Sequence, residues 1–474
     1  VSLLAAIACL HAQDTAPIKI GGVTFSASVR SRLYDWDWFQ PAGGDNSYAY
    51  SGSISRLGLS QSRDAWDWNA EFAVPVLLGL PAAPTGTGPQ QGALGLGANY
   101  LSANSGNRNA AMIFPKQLYV RFHFGSQSLQ VGRFEFNDAS EIAPKNATLA
   151  AVKRERVLQR LIGTFGFSDV GRSFDGVHYA YATPHGNFTF VGAVPTRGVF
   201  QVDGWGWNRA AFGYTSYTRE WGTGHHAADT RLFFIEYDDF RHILKTDSRA
   251  LAARRGDLAN IRIETIGGHS LHAVETAGGT VDLLLWGAVQ TGRWGVQAQR
   301  AGALDVEGGF QPKILGPLKP WLRAGYTYGS GDGNPSDNRH ETFFQILPTP
   351  RPYARFPFYN MMNTEERYAI LQLRPHSKVT IANEFHAVRL SNANDLWYSG
   401  GGIFQPWTFG YSGRVTSGRR SLGNVYDAAV DYRVTRKLTV TGYFGYAQGL
   451  AAMQQIYPSG KDGRFGYLEI FQRF

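Results

Sequence analysis

The sequence predicts an all-β fold, a transmembrane antiparallel β-barrel of about 18 strands with short periplasmic turns and long extracellular loops. Three observations carry this. The 474 residues include 23 Tyr, 30 Phe, 12 Trp and 56 Gly, yet no apolar run approaches the roughly 20 residues of a membrane helix. Many segments alternate polar and apolar residues with period two, as a wall between lipid and lumen does. The intervening segments sort by length, short turns alternating with long polar ones. A mean hydropathy of -0.25 would also suit a soluble sandwich or propeller. No blade repeat supports a propeller, and a sandwich has no reason to sort its loops by length.

At the start, "VSLLAAIACLHAQ" reads as the tail of a secretory signal peptide over residues 1–12, with cleavage after Ala12. The run from Leu3 to Leu10 is too short to span a bilayer as a helix. A rival reading lipidates Cys9, although "AIAC" lacks the usual leucine three residues earlier. Residues 13–21 are assigned to a periplasmic segment and 22–474 to one barrel domain. Cys9 is the one cysteine, which excludes a disulfide framework and a cysteine-based metal site.

The strands follow in order. "VTFSASVRSRL" rises, "SISRLGLS" descends to the tight "SRDA", and "WDWNAEFAV" rises into a long segment, 76–114. "KQLYVRFHF" descends to "GSQ", and "SLQVGRFEF" rises into the second long segment, 137–171. "RSFDGVHYAYA" and "GNFTFVGAV" flank "TPHG". "AAFGYTSYTR" descends and "TRLFFIEYDDF" rises. "ETIGGHSLHAVE" and "TVDLLLWGAVQ" flank "AGG". "WGVQAQRAGALDVEGGFQ" descends to "LGPLKP", and "PWLRAGYTYG" rises into the polar segment 330–364. "RYAILQLR" and "KVTIANEFHAVRL" flank "PHS", and 391–422 lies outside. "VYDAAVDYRV" and "KLTVTGYFGYAQG" flank "TRK". Beyond 450–462, "GRFGYLEIFQRF" keeps its alternation to Phe474, as a strand that pairs with the first and closes the barrel would. Both chain ends then lie on the periplasmic side, as in bacterial single-chain barrels. A barrel of this size has a lumen too wide for strand side chains alone to fill, so long loops are expected to enter it.

Parity sorts the two faces. Val23, Phe25, Ala27 and Val29 face lipid, and Arg30 and Arg32 face in. Tyr119, Arg121 and His123 oppose Leu118, Val120 and Phe122. The same rule turns Arg56, Arg172, Arg323, Arg374 and Arg433 inward, together with Glu71, Glu236, Asp238, Glu264, Asp282, Glu384 and Asp431. Arg133 is ambiguous because "LQVGRFEF" changes phase at its glycine. Most lumen charges simply pair or meet water, so the collective signal counts for more. Arginine dominates the 46 basic residues, the net charge is +9 and the isoelectric point is near 9.4. Guanidinium pairs with carboxylate through two parallel hydrogen bonds, so these charges suit a pore for a carboxylated anion. The charge surplus by itself would also suit lipopolysaccharide or nucleic acid.

Other chemistry is weakly signalled. "GTGHHAAD" offers His225, His226 and Asp229, a pattern more often solvated than metal-bound. "GSGDGNPSDN" brings Asp332 and Asp337 into a Gly-rich loop, without the spacing of an EF-hand. No Walker loop or G-x-S-x-G elbow is present. No cofactor is expected.

Several stretches resemble the alginate-export outer-membrane porins: "RERVLQRLIGTFGFSDVGRSFDGVHY", "VDLLLWGAVQTGRWG", "KPWLRAGYTYGSGDGN", "FFQILPTPRPYA" and "NDLWYSGGG". The resemblance covers most of residues 23–474, and "GSGDGN" followed by "FFQILPT" is its most specific part. It implies an 18-stranded barrel, a constricted basic pore, loops that plug or gate the lumen, and export of a uronic-acid polysaccharide. It singles out Arg172 in "GRSFDG" and Arg323 in "KPWLRAG".

The leading expectation is a passive outer-membrane channel of a Gram-negative bacterium, exporting an anionic, alginate-like polysaccharide, and not an enzyme. Its pore would be lined by Arg30, Arg32, Arg56, Arg121, Arg172, Arg323, Arg374, Arg433, Glu71 and Asp431. Expected partners are the polysaccharide, outer-membrane lipid and lipopolysaccharide, the barrel-assembly machinery and periplasmic export components, with no nucleic acid. The alternatives are a porin for small anionic solutes and a barrel enzyme acting on polysaccharide or lipid. Arg30, Arg32, Arg121, Arg172 and Arg323 are expected to converge at a constriction. Exchanging Arg121 and Arg323 for Glu is expected to cost little stability, because wet ion pairs are worth about 0–1 kcal/mol.

Overall fold

The computed structural model describes residues 18–349 and 355–474. The expected signal peptide, Cys9 and the first part of the 13–21 segment lie outside the described residues. Ile18–Ile20 folds back and pairs with Val23 to Phe25.

Eighteen long strands form the wall. They are β1 (Val23–Asp37), β2 (Ser47–Ser62), β3 (Trp66–Leu78), β4 (Phe114–Phe124), β5 (Gln127–Phe134), β6 (Phe174–Thr183), β7 (Gly186–Pro195), β8 (Ala210–Trp221) and β9 (His226–Asp239). The circuit continues with β10 (Ile261–Glu275), β11 (Gly279–Trp294), β12 (Ala301–Pro312), β13 (Trp321–Gly329), β14 (Thr364–His376), β15 (Val379–Leu390), β16 (Ser421–Arg433), β17 (Leu438–Gly449) and β18 (Gly463–Arg473). Neighbours pair antiparallel throughout, and β1 pairs with β18, Ser28 opposite Arg473 and Asp37 opposite Arg464. Closure removes the sheet edges, which lets a sheet cross hydrocarbon with its backbone groups satisfied.

Each segment expected to be a strand is one. A difference arises over 294–311, expected as one descending strand. There β11 runs on to Trp294, the chain turns at Gly295, and Gln297–Gln299 pairs back before β12 begins. Gly295 has φ 64°, and a Cβ on it would meet the Asp257 carboxylate at 2.2 Å. Only glycine turns the chain there without strain.

The core lies inside the barrel. Tyr34, Trp36 and Tyr50 of the wall pack with loop residues such as Phe165, Phe200, Phe344, Phe356 and Trp397, all buried. Trp36 stacks on Phe465 at 4.0 Å between ring centres, and Trp294 on His340 at 4.0 Å. Two loops lock together in the lumen: Gly163 N–H donates to Leu347 O at 2.7 Å, and Leu347 N–H to Leu161 O at 2.7 Å. The loop before β14 therefore enters the barrel. The 135–173 loop carries helix α1 (Ala147–Val152), which continues as a π-helical turn, Lys153–Val157. Asn146 caps α1 by accepting from the amides of Thr148 and Leu149 at 3.0 and 3.1 Å.

Leu33, Leu57, Leu118, Leu232, Leu285 and Leu322 are exposed on the outer wall. Among the described residues no helix is long and apolar enough to cross a membrane.

Three inward assignments are reversed. Glu236, Asp238 and Glu264 point outward and are not buried, while Ile235, Tyr237 and Ile263 are buried. Tyr237 packs against the loop residue Phe344, ring centres 5.8 Å apart. At this end of β9 and β10 the lumen holds an apolar plug. The apolar face turns inward, as in a soluble protein, and inverts the lipid-side rule. Outside, Arg262 pairs with Asp238 at 3.2 Å. Arg133 also faces outward, pairing with Asp175 at 2.7 Å.

Candidate functional site in the barrel lumen

Inward parity places charged side chains from many strands around one lumen, and loops supply the rest. Arg30 and Arg32 of β1 reach the 166–169 loop segment. Arg30 donates to Gly166 O at 2.5 Å and Arg32 to the carbonyl of Phe167. The two approach Asp169 at 3.9 and 3.8 Å, and Arg32 also pairs with Glu469 at 2.5 Å. Arg56 and Glu71 come together at 3.4 Å, and Arg56 also pairs with Glu135. Arg121 donates to Gln130 at 3.0 Å and stands 3.9 Å from Asp67.

Arg374 is 4.0 Å from Glu155 and 45% exposed. Arg433 is exposed near the periplasmic end of β16, and Asp431 accepts from the Thr441 hydroxyl at 2.6 Å. Arg30 and Arg32, Arg56, Arg121 and Arg374 thus stand beside four different sets of carboxylates around the wall.

Arg172 and Arg323 depart furthest from the expectation of a wet pore lining. Arg172 is fully buried in a cage of carbonyls, with Gly401 O at 2.6 Å and Ile403 O at 3.4 Å. Burial without a carboxylate partner lowers its pKa to about 10. It holds the 391–420 loop in place and presents no surface to a solute. Arg323 is buried between Asp282 and Glu307, the latter at 2.8 Å.

Glu307 is the hub of a network that the sequence did not reveal. Arg156 reaches it at 2.7 Å and Arg160 at 3.6 Å, while Arg160 also pairs with Asp305. Tyr368 donates to Asp305 at 2.9 Å. Arg156 and Arg160 arise from "RERVLQR" inside a loop. The helical turn ends at Val157 and Gln159 adopts φ 68°, so the bend that brings Arg160 beside Arg156 is irregular and leaves no periodic signal in the sequence.

Arg156, Arg323 and Arg355 line a cleft in the lumen with Glu155, Glu384, Trp321 and Gln372. This cleft combines guanidinium groups, an indole and an amide.

The weaker candidates do not assemble. His225 is exposed, and His226 stacks on His272 with ring centres 5.4 Å apart. Asp229 instead turns inward to Lys153 and His269. Asp332 is buried and accepts from Asn334 N–H, whereas Asp337 is exposed and accepts from Arg339 N–H. Each closes its own turn.

A family model for alginate export matches residues 104–449. The chain belongs to the alginate export family. Solved structures share its fold. OccAB2 of Acinetobacter baumannii superposes with a TM-score of 0.61 at 9% identity, covering 96% of this chain and 98% of that one. OccK9 (OpdG) of Pseudomonas aeruginosa gives 0.59 at 10% identity, with 95% and 98% covered. OpdK of P. aeruginosa, solved with vanillate, gives 0.57 at 9% identity, with 95% and 98% covered. At such identities the likeness is one of fold alone. No curated protein matches the sequence. Family and barrel together make this alginate-export family member an outer-membrane channel.

Proposed function

We propose that the channel passes an anionic, alginate-like polysaccharide outward across the outer membrane. The observation that supports this reading is the set of lumen arginines whose side chains stay partly exposed: Arg30, Arg56, Arg121 and Arg374, at 18%, 29%, 36% and 45%. Guanidinium groups recognise carboxylates bidentately. Asp67, Glu71 and Glu155 beside them oppose the arginines and keep binding weak enough for release. The outward charges Arg262 and Asp238 suit lipopolysaccharide headgroups. The barrel-assembly machinery and periplasmic export components are the proposed protein partners.

Single-channel recording tests the substrate. Polyuronate should block the open channel at low concentration, and neutral dextran of equal length should not. A channel that small organic acids traverse while polyuronate leaves the current unchanged is a small-anion porin instead. Sustained release of reducing ends from polyuronate would identify a barrel enzyme.

A further inference from the structure

On the inner wall, β14, β15 and β16 bring three carboxylates around one imidazole. Register sets this arrangement: Glu384 lies directly opposite Asp427, and Tyr368 opposite His386. Glu384, His386 and Asp427 are 9%, 0% and 4% exposed. Like charges directly opposed across a ladder destabilise it, and burial makes the conflict worse unless positive charge lies between them.

Each of the three is gripped from behind. His386 Nδ1 bonds Glu366 Oε1 at 2.5 Å, and the same carboxylate oxygen accepts from Tyr359 at 2.8 Å. Arg355 holds Glu384 Oε1 at 2.8 Å. Tyr443 donates to Asp427 Oδ1 at 2.5 Å. The atoms left facing one another are His386 Nε2, Glu384 Oε2 and Asp427 Oδ2. Nε2 lies 3.4 Å from the first oxygen and 3.8 Å from the second. One ligand atom from each residue falls within a 4.8 Å span. His386 Nε2 and Asp427 Oδ2 are buried without a hydrogen-bond partner, and both aim into the gap.

The geometry points to a divalent transition-metal site formed by Glu384, His386 and Asp427. A carboxylate on Nδ1 that leaves Nε2 bare is how metal-binding histidines are oriented. The charges agree: with neutral imidazole, Glu366, Glu384 and Asp427 bring three negative charges together, Arg355 pairs directly with Glu384, and a divalent ion would offset the excess negative charge. One imidazole with two carboxylates suits zinc or manganese, whereas calcium and magnesium favour all-oxygen sites. An ion here would join three neighbouring strands. Through Arg355 and Tyr359 it would also fix the loop that enters the lumen before β14. This inference does not depend on the transported solute.

The test uses the full chain, purified with a tag that does not bind metal. Samples are equilibrated separately with Zn²⁺ or Mn²⁺, dialysed, and measured for metal content and melting temperature. Wild-type protein should retain close to one equivalent of one of these ions and melt higher with it than after chelation. Asp427→Asn keeps the side-chain shape, so it tests the site even if His386→Ala fails to fold. Either substitution should weaken retention by at least about tenfold and abolish the metal-dependent rise in melting. Equal retention by wild type and Asp427→Asn would mark adventitious binding and overturn the assignment. So would a wild type that retains neither ion, which would leave a protonated His386 as the neutralising charge.

Discussion

At the residue scale, parity assigns a face to each strand arginine but says nothing of its surroundings. Arg323 and Arg121 were read by the same rule and should behave oppositely. Arg323→Glu would place a third carboxylate between Asp282 and Glu307, both without exposed side-chain surface. Breaking a buried pair costs about 3–5 kcal/mol, so this variant should melt lower or assemble poorly. That corrects the expectation that reversing it is cheap. Arg121 and Arg374 have side chains 36% and 45% exposed. Reversing both to Glu should leave melting within about 1 kcal/mol of wild type, while reversal potentials in a salt gradient shift toward cations. Unchanged selectivity would remove them from the ion path. Asp332 supplies a pH test. Burial, reinforced by Asp395, raises its pKa to about 6. The folded loop therefore favours the protonated acid, and its contribution is greatest below the ordinary carboxylate value. It weakens as pH rises through about 6. Protease resistance of the 330–349 segment should fall from pH 5 to pH 7.5, and Asp332→Asn should flatten that change.

At the element scale, strands were legible because lipid imposes period two and the periplasmic turns are short. Loop interiors were not, because their order comes from contacts distant in sequence. Arg160 pairs with Asp305, and Phe165 N–H donates to the Thr349 hydroxyl at 3.0 Å. The same cause inverted the reading of Glu236, Asp238 and Glu264. Parity identifies the lipid face only where the lumen is polar, and a plug packed against Ile235 and Ile263 reverses the sign. The two inserted loops should consequently behave as one gate. Besides the backbone bonds between Gly163, Leu161 and Leu347, Thr349 N–H donates to Gln159 O at 2.9 Å. Replacing 342–349 by a short Gly-Ser linker should raise single-channel conductance, and so should replacing 146–163, which carries Gln159, Leu161 and Gly163. Combining the two should add less than the sum, because either removal releases the other loop. Fully additive increases would show two independent obstructions.

At the scale of the whole molecule, the barrel rests on one seam between strands distant in sequence. Period two in "GYLEIFQRF" was enough to read that seam from the sequence. Its register was not legible, because slipping a strand by two residues preserves every face. In the structure Ser31 lies opposite Ile470, Ser28 opposite Arg473, and Phe474 N–H donates to Ala27 O at 3.0 Å. Directly opposed residues of an antiparallel pair have Cα atoms about 4.5–5.5 Å apart, within the range a disulfide bridges. Ser31→Cys with Ile470→Cys, made in a Cys9→Ser background, should therefore cross-link on mild oxidation of the assembled protein. The bond would tie the first strand to the last, so boiled, unreduced protein should migrate faster than its reduced form. A control pair displaced by two residues, Ser31→Cys with Leu468→Cys, should react far more slowly. If the displaced pair forms the bond as readily, the seam slips between registers, and the inward alignment of Arg32 with Glu469 across it cannot be a fixed feature of the lumen.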